Sequence, residues 1–210
     1  MTIETSAGEA DAQELMVALG GTGPAPTRTV VAYGFWIFLL SDIIMFSGLF
    51  AAYAVLSRNT AGGPSGRELF DLHNVFIETA CLLFSSYTCG LGALSAERNH
   101  TGYFYIFEVL TFILGGAFLY IELSEFADMV AQGAGPSRSA FLSSFFTLVG
   151  MHGAHVTTGL LWLIYMMAQV AAKGFRPHVL RRLLCFSLFW HALDIIWVGV
   201  FTMVYLMGAG

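Results

Sequence analysis

The chain has 210 residues, of which 57% are hydrophobic and 11% charged, with a formal charge of −5. A soluble domain carries about a quarter charged residues, so this composition excludes an ordinary soluble globular protein and indicates a polytopic membrane protein. The acidic balance supplies no basic footprint for nucleic acid. Cys81, Cys89 and Cys185 are scattered through apolar runs and outline no disulfide framework.

Residues 1–29 are rich in Gly, Ala and acids and close on GGTGPAPTR. They lack a basic region followed by an apolar core, so the segment reads as a disordered cytoplasmic tail and not as a cleaved signal. Residues 30–210 form the second region, an all-α bundle of five transmembrane helices. A hydrocarbon core of ~30 Å needs about 20 apolar helical residues. Spans of that kind are predicted at 30–56, 72–96, 103–130, 141–172 and 180–207. The separators RNTAGGPSGR, ERNHTG, QGAGPSRS and KGFRPH are turn-like.

Loop charges set the expected orientation. Arg28, Arg98, Lys173, Arg176, Arg181 and Arg182 fall on one side, Arg58, Arg67 and Arg138 on the other. The positive-inside rule then predicts a cytoplasmic N-terminus and a periplasmic C-terminus. Tyr33, Phe35, Trp36, Tyr53 and Tyr205 stand near span ends, where interfacial aromatic belts form.

Ionisable residues inside spans are expensive and each needs a reason. Asp42 lies mid-span in LLSDIIMF, with no ionisable neighbour within four positions. Three fates are open to it: a neutral buried acid, a pair with another helix, or contact with a lipid or a partner subunit. Glu78 lies early in the second span and Glu108 early in the third. Glu122 and Glu125 lie late in the third, where partial wetting is expected, with Asp128 interfacial. Residues three or four apart share a helix face, which pairs His152 with His155, Glu122 with Glu125 and His191 with Asp194.

The HxxH of span four admits three readings. Two imidazoles can begin a metal site, completed by His191 and Asp194, because a closed site wants three or four ligands. Haem would need a second histidine from another helix, for instance His155 with His191. The third reading is hydrogen bonding between helices, with His191 and Asp194 clasping span five to span four. Gly150, Gly153, Ala154 and Gly159, like Gly115–Gly116–Ala117, would let a neighbouring backbone approach. A small transporter is a further class, but neither an internal repeat nor a Pro-interrupted span supports it.

GMHGAHVTTGLLWL (150–163) and FWHALDIIWVGVFTMVYLMG (189–208) resemble signatures of the subunit III family of haem–copper respiratory oxidases. GFWIFLLSDIIMFSGLFAAYAV (34–55) resembles the family's helix with a buried carboxylate, and FDLHNVFIETACLLFSSYT and GPSRSAFLSSFFTLVG match between. The likeness runs from about residue 30 to 208. The short form, starting where a later helix of the longer cytochrome c oxidase subunit begins, is similar to the bo-type ubiquinol oxidase branch.

The resemblance implies a non-catalytic subunit of a proton-pumping quinol oxidase in the bacterial inner membrane. It would stabilise subunit I, bind phospholipid and carry no cofactor, with haem and copper in subunit I. Its partners would be subunits I, II and IV. His152, His155, His191, Asp194 and Glu78 would then be interhelical polar contacts. Asp42 stands where many members have a glutamate facing a lipid cleft. Gln169 stands about where mitochondrial members have arginine, with Lys173 one turn on, so Asp42 and Lys173 are candidates for contact with lipid or subunit I. The alternative is a stand-alone membrane enzyme holding metal or haem through His152, His155 and His191.

Overall fold

A computed structural model describes residues 26–62 and 72–209. The expected tail lies outside the described residues except for its last positions, where helix already begins at Thr27. The helices are α1 (Thr27–Leu56), α2 (Leu72–Glu97), α3 (Thr101–Ala131), α4 (Ala140–Lys173) and α5 (Pro177–Val200). A π-helical segment, Phe201–Leu206, and a closing turn, Met207–Ala209, extend α5. Among the described residues five helices are long and apolar enough to cross a membrane, and their ends fall within three residues of the predicted ones. The π segment was not foreseen, because no proline or glycine pair announces it.

The helix ends follow from the turn residues. Asn99 has φ 57° and Gly133 φ 77°, left-handed values that asparagine and glycine tolerate. Behind each stands a paired cap: His100 N–H to the Ser95 carbonyl at 2.9 Å and Asn99 N–H to Ala96 at 3.1 Å. Ala134 N–H to Met129 and Gly133 N–H to Val130 repeat the pattern at the end of α3. Gly174, φ 66°, ends α4 with its N–H on Val170 at 2.8 Å. Ser139 caps the start of α4 by accepting from Leu142 N–H, and Pro177 opens α5 at a position that needs no N–H.

Within α1 the chain divides into two units, the second being Leu39–Gly210. In the first, the Phe35 and Phe38 rings lie 5.6 Å apart, and Tyr33 and Trp36 are exposed. In the second, α2 and α3 form the most extensive pairing, and α4–α5, α2–α5 and α3–α4 complete the packing. The α1 part of this unit is inserted only along one stripe, Leu39, Phe46 and Tyr53, seven residues apart. That spacing keeps a single narrow seam in register, as in a heptad pattern.

Candidate functional site

The core of the Leu39–Gly210 unit contains a seam of polar groups on the inward face of α2. Its buried positions run Val75, Glu78, Thr79, Leu82, Ser85, Ser86, Thr88, Cys89, Gly92 and Ala96. This is a helical period filled largely by small polar residues. With no water in a hydrocarbon core, each hydroxyl needs a protein partner. Thr79 donates back to the Val75 carbonyl at 2.8 Å, and Ser85 to Leu82 at 2.7 Å. Their oxygens then remain free to accept from α5.

Trp190 is the centre of this arrangement. Its indole N–H donates to Ser85 Oγ at 3.1 Å. A Cβ added at Gly115 of α3 would lie 3.0 Å from the ring, and one at Gly159 of α4 would lie 2.8 Å from it. One side chain of α5 therefore touches α2, α3 and α4. Seven residues on, Trp197 donates to Thr79 Oγ1 at 3.1 Å. Thr88 and Thr111 share a 2.7 Å hydrogen bond between α2 and α3.

These contacts correct the glycine reading. Gly115 and Gly159 admit an indole ring, not a neighbouring backbone, and Gly153 admits a carboxyl: Glu122 Oε1 would stand 2.8 Å from an added Cβ. Gly92 of α2 receives Glu108 in the same way. Glu122 is therefore 2% exposed, against the expectation that it would be partly wetted. Tyr205 and Tyr53 are also buried, against the exposed position expected of an aromatic belt, and Tyr53 O–H donates to the Val204 carbonyl at 3.4 Å.

The expected site residues lie in separate places. His191 Nδ1 lies 3.1 Å from Ser86 Oγ, and Asp194 stands beside the same serine. The clasp thus joins α5 to α2, where α4 was expected. The reason is that α5 turns its tryptophans and His191 toward the small polar face of α2. His152 is fully buried among the rings of Phe118, Trp197 and Phe46, with Trp197 at 5.0 Å, and neither ring nitrogen has a hydrogen-bond partner. Its contact is aromatic, not the polar one expected. Glu78 is fully buried and makes no hydrogen bond among the described residues, with Glu122 and Glu125 as its acidic neighbours.

Asp42 and His155 share a further place. His155 Nε2 stands 4.0 Å from Asp42 Oδ2, each 20% exposed, and Nδ1 is held 2.8 Å from the Met151 carbonyl. Phe46 packs edge-on to the His155 ring at 5.3 Å. Lys173 is elsewhere, exposed at the end of α4. It is 18 residues, or about 27 Å of helix, from His155. Gln169 is turned to Tyr165 O–H at 2.6 Å.

His152, His155 and His191 do not converge. Among the described residues no group of three or more His, Cys, Asp or Glu side chains is placed to hold a metal ion. The partners that sequence reasoning missed, Thr79, Ser85, Ser86 and Thr111, are common small residues. The helical period at which they recur on α2, facing an α5 with two tryptophans seven apart, is the signal that points to them.

Comparison with known proteins fits this architecture. A family model described as cytochrome c oxidase subunit III matches residues 16–209. The chain belongs to the cytochrome c oxidase subunit III family. Among curated members it is 54% identical over 177 residues to the cytochrome bo(3) ubiquinol oxidase subunit 3 of Pseudomonas aeruginosa, covering 84% of this chain and 85% of the relative. The subunit of the same name from Pseudomonas putida is 48% identical, covering 83% of this chain and 84% of the relative. The quinol oxidase subunit 3 of Bacillus subtilis is 44% identical, covering 84% and 87%. All three of these relatives carry names of quinol oxidase subunits. The buried seam is the internal frame of such a subunit.

Proposed function

We propose that this chain is the accessory third subunit of a terminal quinol oxidase, a multi-pass protein of the bacterial inner membrane. The observation that carries the reading is the similarity to quinol oxidase subunits 3 along more than four-fifths of both chains. The use of the polar residues supports it. Trp190, Trp197, His191 and Thr111 are engaged between helices, which is the work of a scaffold.

On this reading the oxidase chemistry belongs to the complex, with haem and copper in subunit I, and subunits II and IV complete the assembly. The N-terminus faces the cytoplasm and the C-terminus the periplasm, as the loop charges favour. The Asp42–His155 pair, half-open at the middle of two spans, faces subunit I or a lipid lodged beside it. A mid-span pair left in bare hydrocarbon would be costly, so a covering partner is favoured.

Affinity purification through this chain tests the proposal. A co-purifying set of oxidase subunits with haem absorbance and quinol-dependent oxygen uptake is expected. Recovery of the chain alone, with haem bound to it, would overturn the reading in favour of a stand-alone enzyme.

A further inference from the structure

The start of α2 and the last turns of α3 enclose a cavity of about 250 Å³, whose polar lining is Asn74, Ser124, Glu125, Asp128 and Gln132. Exposure falls along it from the mouth inward. Asn74, Asp128 and Gln132 are exposed, while Ser124 and Glu125 are half-buried. One turn deeper than Asn74, on the same face of α2, stands Glu78, fully buried. Glu122, one turn deeper than Glu125 on α3, is buried as well. The three glutamates act on one another electrostatically.

Neither oxygen of Glu78 has a hydrogen-bond partner among the described residues, nor has Oε2 of Glu122. A buried carboxyl left unbonded is destabilising, and water in an adjoining polar cavity is the usual remedy. The groups facing the cluster are known from every side. The π segment brings Tyr205, which is a neighbour of all three glutamates, and α1 brings Tyr53 beside Tyr205. Cys81 lies near Glu78 on α2 itself. From α4 come Gly153, pressed against Glu122, and His152, enclosed by the rings of Phe118, Trp197 and Phe46. From α5, Trp197 donates to Thr79, next to Glu78. Three carboxylates at such close quarters in an apolar body repel too strongly to be charged together. Part of the cluster therefore holds protons, and the graded cavity gives water a way to them.

We propose that Glu78, Glu122 and Glu125 form a proton-holding site that exchanges with the aqueous phase through water in the cavity between Asn74 and Asp128. The ligand is the proton and not a metal ion, since among the described residues no three acidic side chains converge as metal ligands do. The site is separate from the Asp42–His155 pair and does not depend on the role given to it.

The test is infrared difference spectroscopy on the complex purified through this chain, moved from water to deuterium oxide at neutral pH. Protonated carboxyls absorb apart from carboxylates, and their C=O band shifts when deuterium replaces the proton. Glu78→Gln is expected to remove or displace part of that band. Ser124→Leu narrows the cavity without altering a carboxyl, and should slow the deuterium shift of that part at least ~10-fold. Exchange in the unaltered protein set against Ser124→Leu reads the cavity even if Glu78→Gln assembles poorly. A carboxyl band identical in the Glu78→Gln complex would overturn the proposal. So would exchange that is equally fast with Ser124→Leu, or loss of the band on adding sodium or calcium ions, which would make this a cation site.

Discussion

Trp190 shows how much one residue can decide. Its ring lies against two glycines on different helices while its N–H is held by Ser85. Gly159→Ala would place a methyl group 2.8 Å from a ring that has no room to retreat. Overpacking of this kind costs about 1–3 kcal/mol, which unfolding in mixed detergent micelles can measure. Gly116→Ala, with nothing within 4 Å of the added Cβ, is expected to be neutral or slightly stabilising. A similar penalty for both would refute the notch account. Ser86→Ala removes the α2 partner of His191 and should cost about 0.6–2 kcal/mol. Thr158→Ala serves as its control: its hydroxyl bonds only within α4, to Ala154, and no loss of packing between helices is expected.

At the scale of elements, helix ends were the more legible part. The Gly- and Asn-bearing turns predicted breaks that the positive φ values of Asn99, Gly133 and Gly174 confirm. Asn99→Val should therefore cost about 1–2 kcal/mol through the left-handed backbone, and Asn99→Gly should be tolerated. Differential scanning of the two variants separates backbone strain from loss of the side chain, since glycine lacks that side chain too. Facing was less legible. Hydropathy is high all round these helices, so period alone does not say which neighbour a face meets. That is why the clasp of His191 was expected on α4 and is found on α2, and why Glu122 was expected to be wetted. The π segment, which holds the buried Val204 and Tyr205, leaves no mark in local sequence.

At the scale of the molecule, the number of spans was readable because a bilayer imposes a length on apolar helices, and among the described residues five helices of that kind form. The candidate site was only half readable. The ionisable residues inside the spans were evident from cost alone, yet cost does not distinguish a ligand from a strut. Geometry makes the distinction: His152 sits among aromatic rings, His155 beside Asp42, and His191 on Ser86. On the proposed reading these histidines hold no redox centre, and haem and copper belong to another subunit of the complex. That reading is tested most directly by haem and copper content per assembled oxidase carrying His152→Phe, His155→Gln and His191→Gln together. Reduced stability with unchanged haem and copper per complex is the predicted result. Loss of a haem or a copper equivalent from the assembled complex would contradict it.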